Sequence, residues 1–124
     1  MEKFPLGSHI KVARRFYAHH GIYVGQGQVI HYTDLEPTKV KGQVTKTTLE
    51  EFASGETPTL VKHSNPRYSP LEVIKRAESR LNYDDYNIII NNCEHFCNWC
   101  VEDSSLSMQV VELINKIVSK IPVR

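Results

Sequence analysis

The sequence predicts an α+β fold, an antiparallel sheet with helices packed on it. Three observations carry that expectation: β-rich runs broken by glycine turns in the first third, a proline-started amphipathic stretch after Ser69, and a helical face of Cys93, Phe96, Cys97 and Cys100. At 124 residues the chain can bury one modest core, so a single domain over 1–124 is expected, its core at about 7–101.

The first elements lie in HIKVARRFYAHHGIYVGQGQVIHY, His9 to Tyr32. Its clearest part is HHGIYVGQGQVIHY, two runs rich in Ile, Val and Tyr around Gly25, Gln26 and Gly27, which read as a hairpin. A polar loop follows from Asp34 to Gly42. VTKTTLEEF then gives a short strand or the opening of a helix, TPTLVKH (Thr57 to His63) a short strand, and NPRYSP a turn. Ser69 is a natural N-cap, with Pro70 at the first helical position and Glu72 placed for a capping box. The helix is expected to run to about Leu81, with Leu71, Val73, Ile74, Ala77 and Leu81 on its core side. A strand from Tyr86 to Ile90 leads to Asn91 or Asn92, which caps a helix from about Cys93 to Glu102. The tail from Leu106 to Ile121 is amphipathic, with Val110, Ile114, Ile117, Val118 and Ile121 along one side. It reads as a docked core helix, or as a peripheral contact with a membrane surface.

Composition removes several function classes. A net charge of +1 provides no field for nucleic acid. MEKFPLGSHI lacks the apolar region of a secretory signal, and no run approaches the roughly 18–20 apolar residues that span a bilayer. The three cysteines fall within eight residues, which is no disulfide framework; a reducing, cytoplasmic compartment is expected.

The stretch NNCEHFCNWC raises three readings. An iron–sulfur set with CxxxCxxC spacing would sit in a loop, whereas this segment favours a helix. A zinc site needs four ligands, and on a helix His95 points about 160° away from Cys97, so the cluster does not close. The third reading is a nucleophile followed by two buried thiols. Cys97 and Cys100 pack as small hydrophobes. Cys93 differs because it lies in the first turn, where free N–H groups and the helix dipole favour a thiolate. There a thiol falls from about 8.5 towards roughly 3.5–7.5.

A thiolate nucleophile also needs a base and a group that orients the base. Strand alternation puts His19, Gly21 and Tyr23 on one face and His20, Ile22 and Val24 on the other. If the turn is the three residues Gly25 to Gln26 to Gly27, with Gly27 left-handed, Gly21 opposes His31. His31 then shares a face with His19, one diagonal away, with open space beside Gly21. A two-residue turn would separate the two imidazoles. His9 and His63 read as surface or satisfied core residues, and His95 as bonded to a neighbouring loop. The oxyanion formed on attack needs donors: the Cys93 N–H is one candidate, and the Tyr17 hydroxyl, two residues before His19, a second.

HHGIYVG, VIHY and NNCEHF, with RYSPLEVIKRAESRL, resemble the signature blocks of the lecithin retinol acyltransferase family, which includes the phospholipase A/acyltransferases. The likeness runs from about Gly7 to Val101. It implies a circularly permuted papain-like fold, with Cys93 as nucleophile, His19 as general base and His31 as the orienting polar residue. It also implies an acyl-thioester intermediate, an acyl-lipid or other acyl-ester substrate, and no metal or cofactor. The residues alone reach a Cys–His nucleophile, and leave open an amidase or peptidase and a non-catalytic binding domain. His20 departs from the pattern, in which an aromatic residue follows the histidine.

Overall fold

The computed structural model describes residues 2–15, 17–33, 43–82, 92–103 and 117. Its strands are β1 (His9–Ala13), β2 (Ala18–Gly25), β3 (Gln28–Tyr32), β4 (Val44–Thr48) and β5 (Thr59–Leu60). Its helices are α1 (Leu49–Ala53), α2 (Pro70–Ser79) and α3 (Asn92–Glu102). The strands form one antiparallel sheet in the order β4-β3-β2-β1-β5. The α+β expectation holds.

The sheet separates two apolar layers, as alternation requires of a sheet covered on both faces. On one face Ile10, Val12, Tyr23 and Val29 pack with Leu49, Phe52 and Ala53 of α1. On the other, Ile22, Ile30, Tyr32 and Val44 pack with Val73 and Ala77 of α2 and with Cys93, Phe96, Cys97 and Cys100 of α3. Arg76 ties the two helices together. Its guanidinium donates to the Trp99 carbonyl (2.7 Å) and to Asp103 (2.9 Å), and lies over the Tyr68 and Trp99 rings.

The β2–β3 connection differs from the three-residue turn expected, yet gives the same register. The turn has two residues, Gln26 (φ 55°) and Gly27 (φ 70°), both left-handed, as a tight hairpin demands. Glu2 supports the unusual backbone at Gln26 by accepting its N–H (2.9 Å), and the Gly27 N–H donates to the Tyr23 hydroxyl (3.1 Å). An irregularity between Tyr23 and Gly25 inserts the missing residue, so Ile22 faces Ile30 and Tyr23 faces Val29. Continued one residue beyond the last ladder pair, Ile22 and Ile30, this register sets Gly21 opposite His31.

VTKTTLEEF turns out to be both things offered for it, β4 followed by α1. Thr48 caps α1 by accepting the Glu51 N–H (3.1 Å). Helix α2 begins as expected, with a complete capping box between Ser69 and Glu72 and Pro70 at its start. It stops at Ser79, two residues early, because Asn82 takes a left-handed φ of 70° and donates its N–H to the Val44 carbonyl (2.8 Å), drawing the chain back to the sheet. Leu71, expected in the core, is 65 % exposed; Val73 and Ala77 carry the contact. The strand expected over 57–63 contracts to Thr59–Leu60.

The strand expected at 86–90 lies outside the described residues. So does the 106–121 helix, except Ile117, which is helical and exposed. Among the described residues no helix is long and apolar enough to cross a membrane.

Candidate functional site

The central strands bring His19 and His31 together. His19 Nε2 lies 2.9 Å from His31 Nδ1, and the rings meet edge to face. His31 Nε2 in turn lies 3.1 Å from the Thr47 hydroxyl of β4. This chain has a direction. The Thr47 hydroxyl donates to the Thr48 carbonyl (3.3 Å), so it accepts from His31 Nε2–H. His31 Nδ1 then carries a lone pair and accepts from His19 Nε2–H, which leaves the lone pair of a neutral His19 on Nδ1. A buried imidazole held in that tautomer is equipped to take a proton. The sequence reading missed Thr47. Its signal was the alternation in VTKTT, which puts Thr45 and Thr47 on the face of His31; the register pairs His31 with Thr45 and Val29 with Thr47.

Phe52 of α1 covers both imidazoles, its ring centroid 5.1 Å from His19 and 5.3 Å from His31. The space expected beside Gly21 is therefore filled. A Cβ on Gly21 would come within 2.5 Å of a Val29 methyl carbon and 2.8 Å of the Phe52 ring. Glycine serves here to let apolar side chains close over the pair, not to leave a gap.

Cys93 enters from α3, in the first turn as expected, with the helix starting one residue earlier at Asn92. Asn91 lies outside the described residues. The sulfur stands 3.9 Å from the Ala18 carbonyl oxygen. It therefore lies beside the peptide bond joining Ala18 to His19, at the first residue of β2. The neutral thiol has an acceptor in that carbonyl, whereas an ionised sulfur would turn to the N–H groups of the helix start. Cys97 and Cys100 are fully buried in the helix layer. Burial pushes both thiols up, Cys97 well above its ordinary value, so they remain protonated packing groups.

The remaining candidates lie in differing surroundings. Tyr17 precedes β2, is 37 % exposed, and accepts the Arg14 N–H on its carbonyl (2.8 Å). Among the described residues the His95 Nε2 is buried with no hydrogen-bond partner, so the loop bond expected for it is not found there. His20 points into the helix layer, where it meets His9 (2.7 Å) and Glu94 (3.5 Å). Desolvation outweighs the attraction of Glu94 and lowers His20 from its ordinary value to about 4.

That shift has a sign for stability. Below about pH 6.5 an unfolded chain protonates this imidazole and the native fold does not, so stability falls as the pH falls towards 4. Urea midpoints measured across this range are expected to drop, with a shallower slope in His20→Phe.

Comparison with known proteins agrees with this architecture. The family model described as lecithin retinol acyltransferase matches residues 2–106. The chain is 31% identical to human phospholipase A and acyltransferase 2, over 90% of this chain and 79% of that protein. It is 30% identical to mouse lecithin retinol acyltransferase, over 94% of this chain and 62% of that protein. Human phospholipase A and acyltransferase 3 is 31% identical over 87% of this chain and 76% of its own length. The chain thus spans less than two thirds of the mouse lecithin retinol acyltransferase.

Proposed function

The chain belongs to the lecithin retinol acyltransferase family, and on that premise we propose that it is a cysteine-dependent acyl hydrolase or acyltransferase acting on a phospholipid or another acyl ester. The observation that carries this reading is the directed chain Thr47–His31–His19, which leaves a buried basic nitrogen on the strand whose first residue touches the Cys93 sulfur.

In this mechanism His19 Nδ1 takes the thiol proton, and the Cys93 sulfur attacks the ester carbonyl carbon. The oxyanion is met by the Cys93 N–H at the helix start, with the Tyr17 hydroxyl as a second donor. Collapse expels the alcohol, which leaves with the proton held by His19, and the acyl group stays on sulfur as a thioester. Water or an acceptor amine or alcohol, deprotonated by His19, then attacks the thioester and restores the thiol. His31 holds the base in the required tautomer and supports the imidazolium formed in between. No step calls for a metal or cofactor.

The test is intact-protein mass spectrometry after exposure to phosphatidylcholine vesicles, in parallel with a peptide amide. An acyl mass on Cys93, absent in Cys93→Ser, is the expected result. Turnover of the peptide alone would transfer the same machinery to an amidase. No adduct and no turnover with either would leave a binding domain.

A further inference from the structure

Behind the proposed site lies a second, separate line of titratable groups. On the α3 face of the sheet, His20 Nδ1 is 2.7 Å from His9 Nε2, and His9 Nδ1 is 2.7 Å from His63 Nε2. The line ends on α3 in two carboxylates: Glu94, 3.5 Å from His20 Nε2, and Glu102, paired with His63 Nδ1. His9, His20 and Glu94 are buried, the His63 side chain is 7 % exposed, and the Glu102 side chain reaches 28 %. His9 uses opposite ring nitrogens for its two neighbours, so the cluster is a wire and does not converge on a point. Among the described residues no group of three or more His, Cys, Asp or Glu could hold a metal ion.

Counting protons along this wire fixes their number at four, one for each contact, and the burial of the rings favours the arrangement that keeps all three neutral. With Glu102 ionised, His63 Nδ1–H donates to it, so a neutral His63 accepts on Nε2 from His9 Nδ1–H. A neutral His9 likewise accepts on Nε2 from His20 Nδ1–H. Three neutral rings thus satisfy three contacts and turn the His20 Nε2 lone pair towards an oxygen of Glu94. Two ionised carboxylates and three neutral rings leave that last contact acceptor against acceptor. One further proton, between Glu94 and His20, completes the chain. A fifth would force a donor against a donor.

We propose that Glu94, His20, His9, His63 and Glu102 form a proton relay holding one proton more than the three on the neutral rings, and that this proton neutralises Glu94 beside Cys93. The relay deepens the reading of Cys93 as nucleophile and rests on it for its purpose. An ionised carboxylate at the next residue would oppose thiolate formation, and a shared proton removes that opposition. The transfer is balanced: Glu94 gives its proton to His20 Nε2, His20 Nδ1 to His9 Nε2, His9 Nδ1 to His63 Nε2, and His63 Nδ1 to Glu102. Every ring changes tautomer and stays neutral, and one proton has moved from beside Cys93 to the more exposed carboxylate. The charged neighbours agree with neutral rings. Burial is the largest cause lowering His9 and His20; His20 and His63 lower His9 further, Glu94 raises His20 while His19 and His63 lower it, and Lys11 of β1 lowers both. His9, His20, His63 and Glu102 act through Glu94 and are positioning residues.

The test is the pH dependence of Cys93 alkylation by iodoacetamide, with the site identified by mass, in the wild type, Glu102→Gln and Glu102→Asp. Removing a carboxylate about 13 Å along the helix would, by direct electrostatics, ease thiolate formation and lower the midpoint. The relay predicts the opposite sign. With Glu102 uncharged the wire holds its fourth proton more weakly, Glu94 ionises, and the midpoint rises by roughly half to one pH unit. Glu102→Asp restores the wild-type value. A midpoint unchanged or lowered in Glu102→Gln overturns the relay. The shift is read against the wild type wherever that lies, so a wild-type midpoint near that of a free thiol would sink the nucleophile reading separately. Should Glu102→Gln fail to fold, the 13C shift of the Glu94 carboxyl carbon in the wild type near neutral pH decides: a protonated carboxyl supports the relay, and an ionised one overturns it.

Discussion

Replacing His19 by Gln is expected to slow turnover of an acyl ester by about 10²- to 10⁴-fold, the span over which a positioned general base contributes. Glutamine fills most of the imidazole's volume and keeps an N–H for His31 Nδ1, so the fold should survive. What it loses is the basic nitrogen. Because in the proposed mechanism that nitrogen serves both the attack and the later deacylation, kcat and kcat/KM should fall together. Circular dichroism and the urea midpoint give the control: a variant as stable as wild type and equally active would remove His19 from the chemistry.

Phe52→Ala should give the largest loss of stability, about 3–5 kcal/mol. Phe52 is 1 % exposed and packs in the layer formed by Ile10, Val12, Tyr23 and Val29. Its carbonyl also accepts from the Arg14 guanidinium (2.9 Å), a bond the truncation retains. The ring covers His19 and His31, so its removal opens a cavity beside the pair and admits water to it. Activity should therefore fall by more than the unfolded fraction explains. Denaturant titration followed by assay of the folded population separates the two effects.

The parts of the fold that sequence made legible are those governed by local rules. The Ser69-Pro70-Glu72 start of α2 follows from hydrogen-bond geometry within one turn. The shared face of Cys93, Phe96, Cys97 and Cys100 follows from helix periodicity, and the shared face of His19 and His31 from strand pleating. What was not legible depends on partners distant in the chain. The hairpin register came out right although its turn is shorter than expected, because a bulge at Tyr23/Gly25 replaced the residue the loop lacks. The space that local pattern suggests beside Gly21 is filled by Phe52, 31 residues later, a contact that no local rule places. His9 and His63, unremarkable one at a time, join only when β1 and the segment after β5 lie side by side. Thr47 orients His31 through the pairing of β3 with β4; the alternation in VTKTT puts Thr45 and Thr47 on one face but does not announce that pairing.

The most direct measurement is the alkylation rate of Cys93 between about pH 5 and 8 in the wild type and in His19→Gln. If the helix start and the His19 imidazole ionise the sulfur as proposed, it reacts quickly at the acid end, and the variant should need a higher pH to reach the same rate. Coincident curves for the two proteins, rising only near the pKa of a free thiol at about 8.5, would contradict the account.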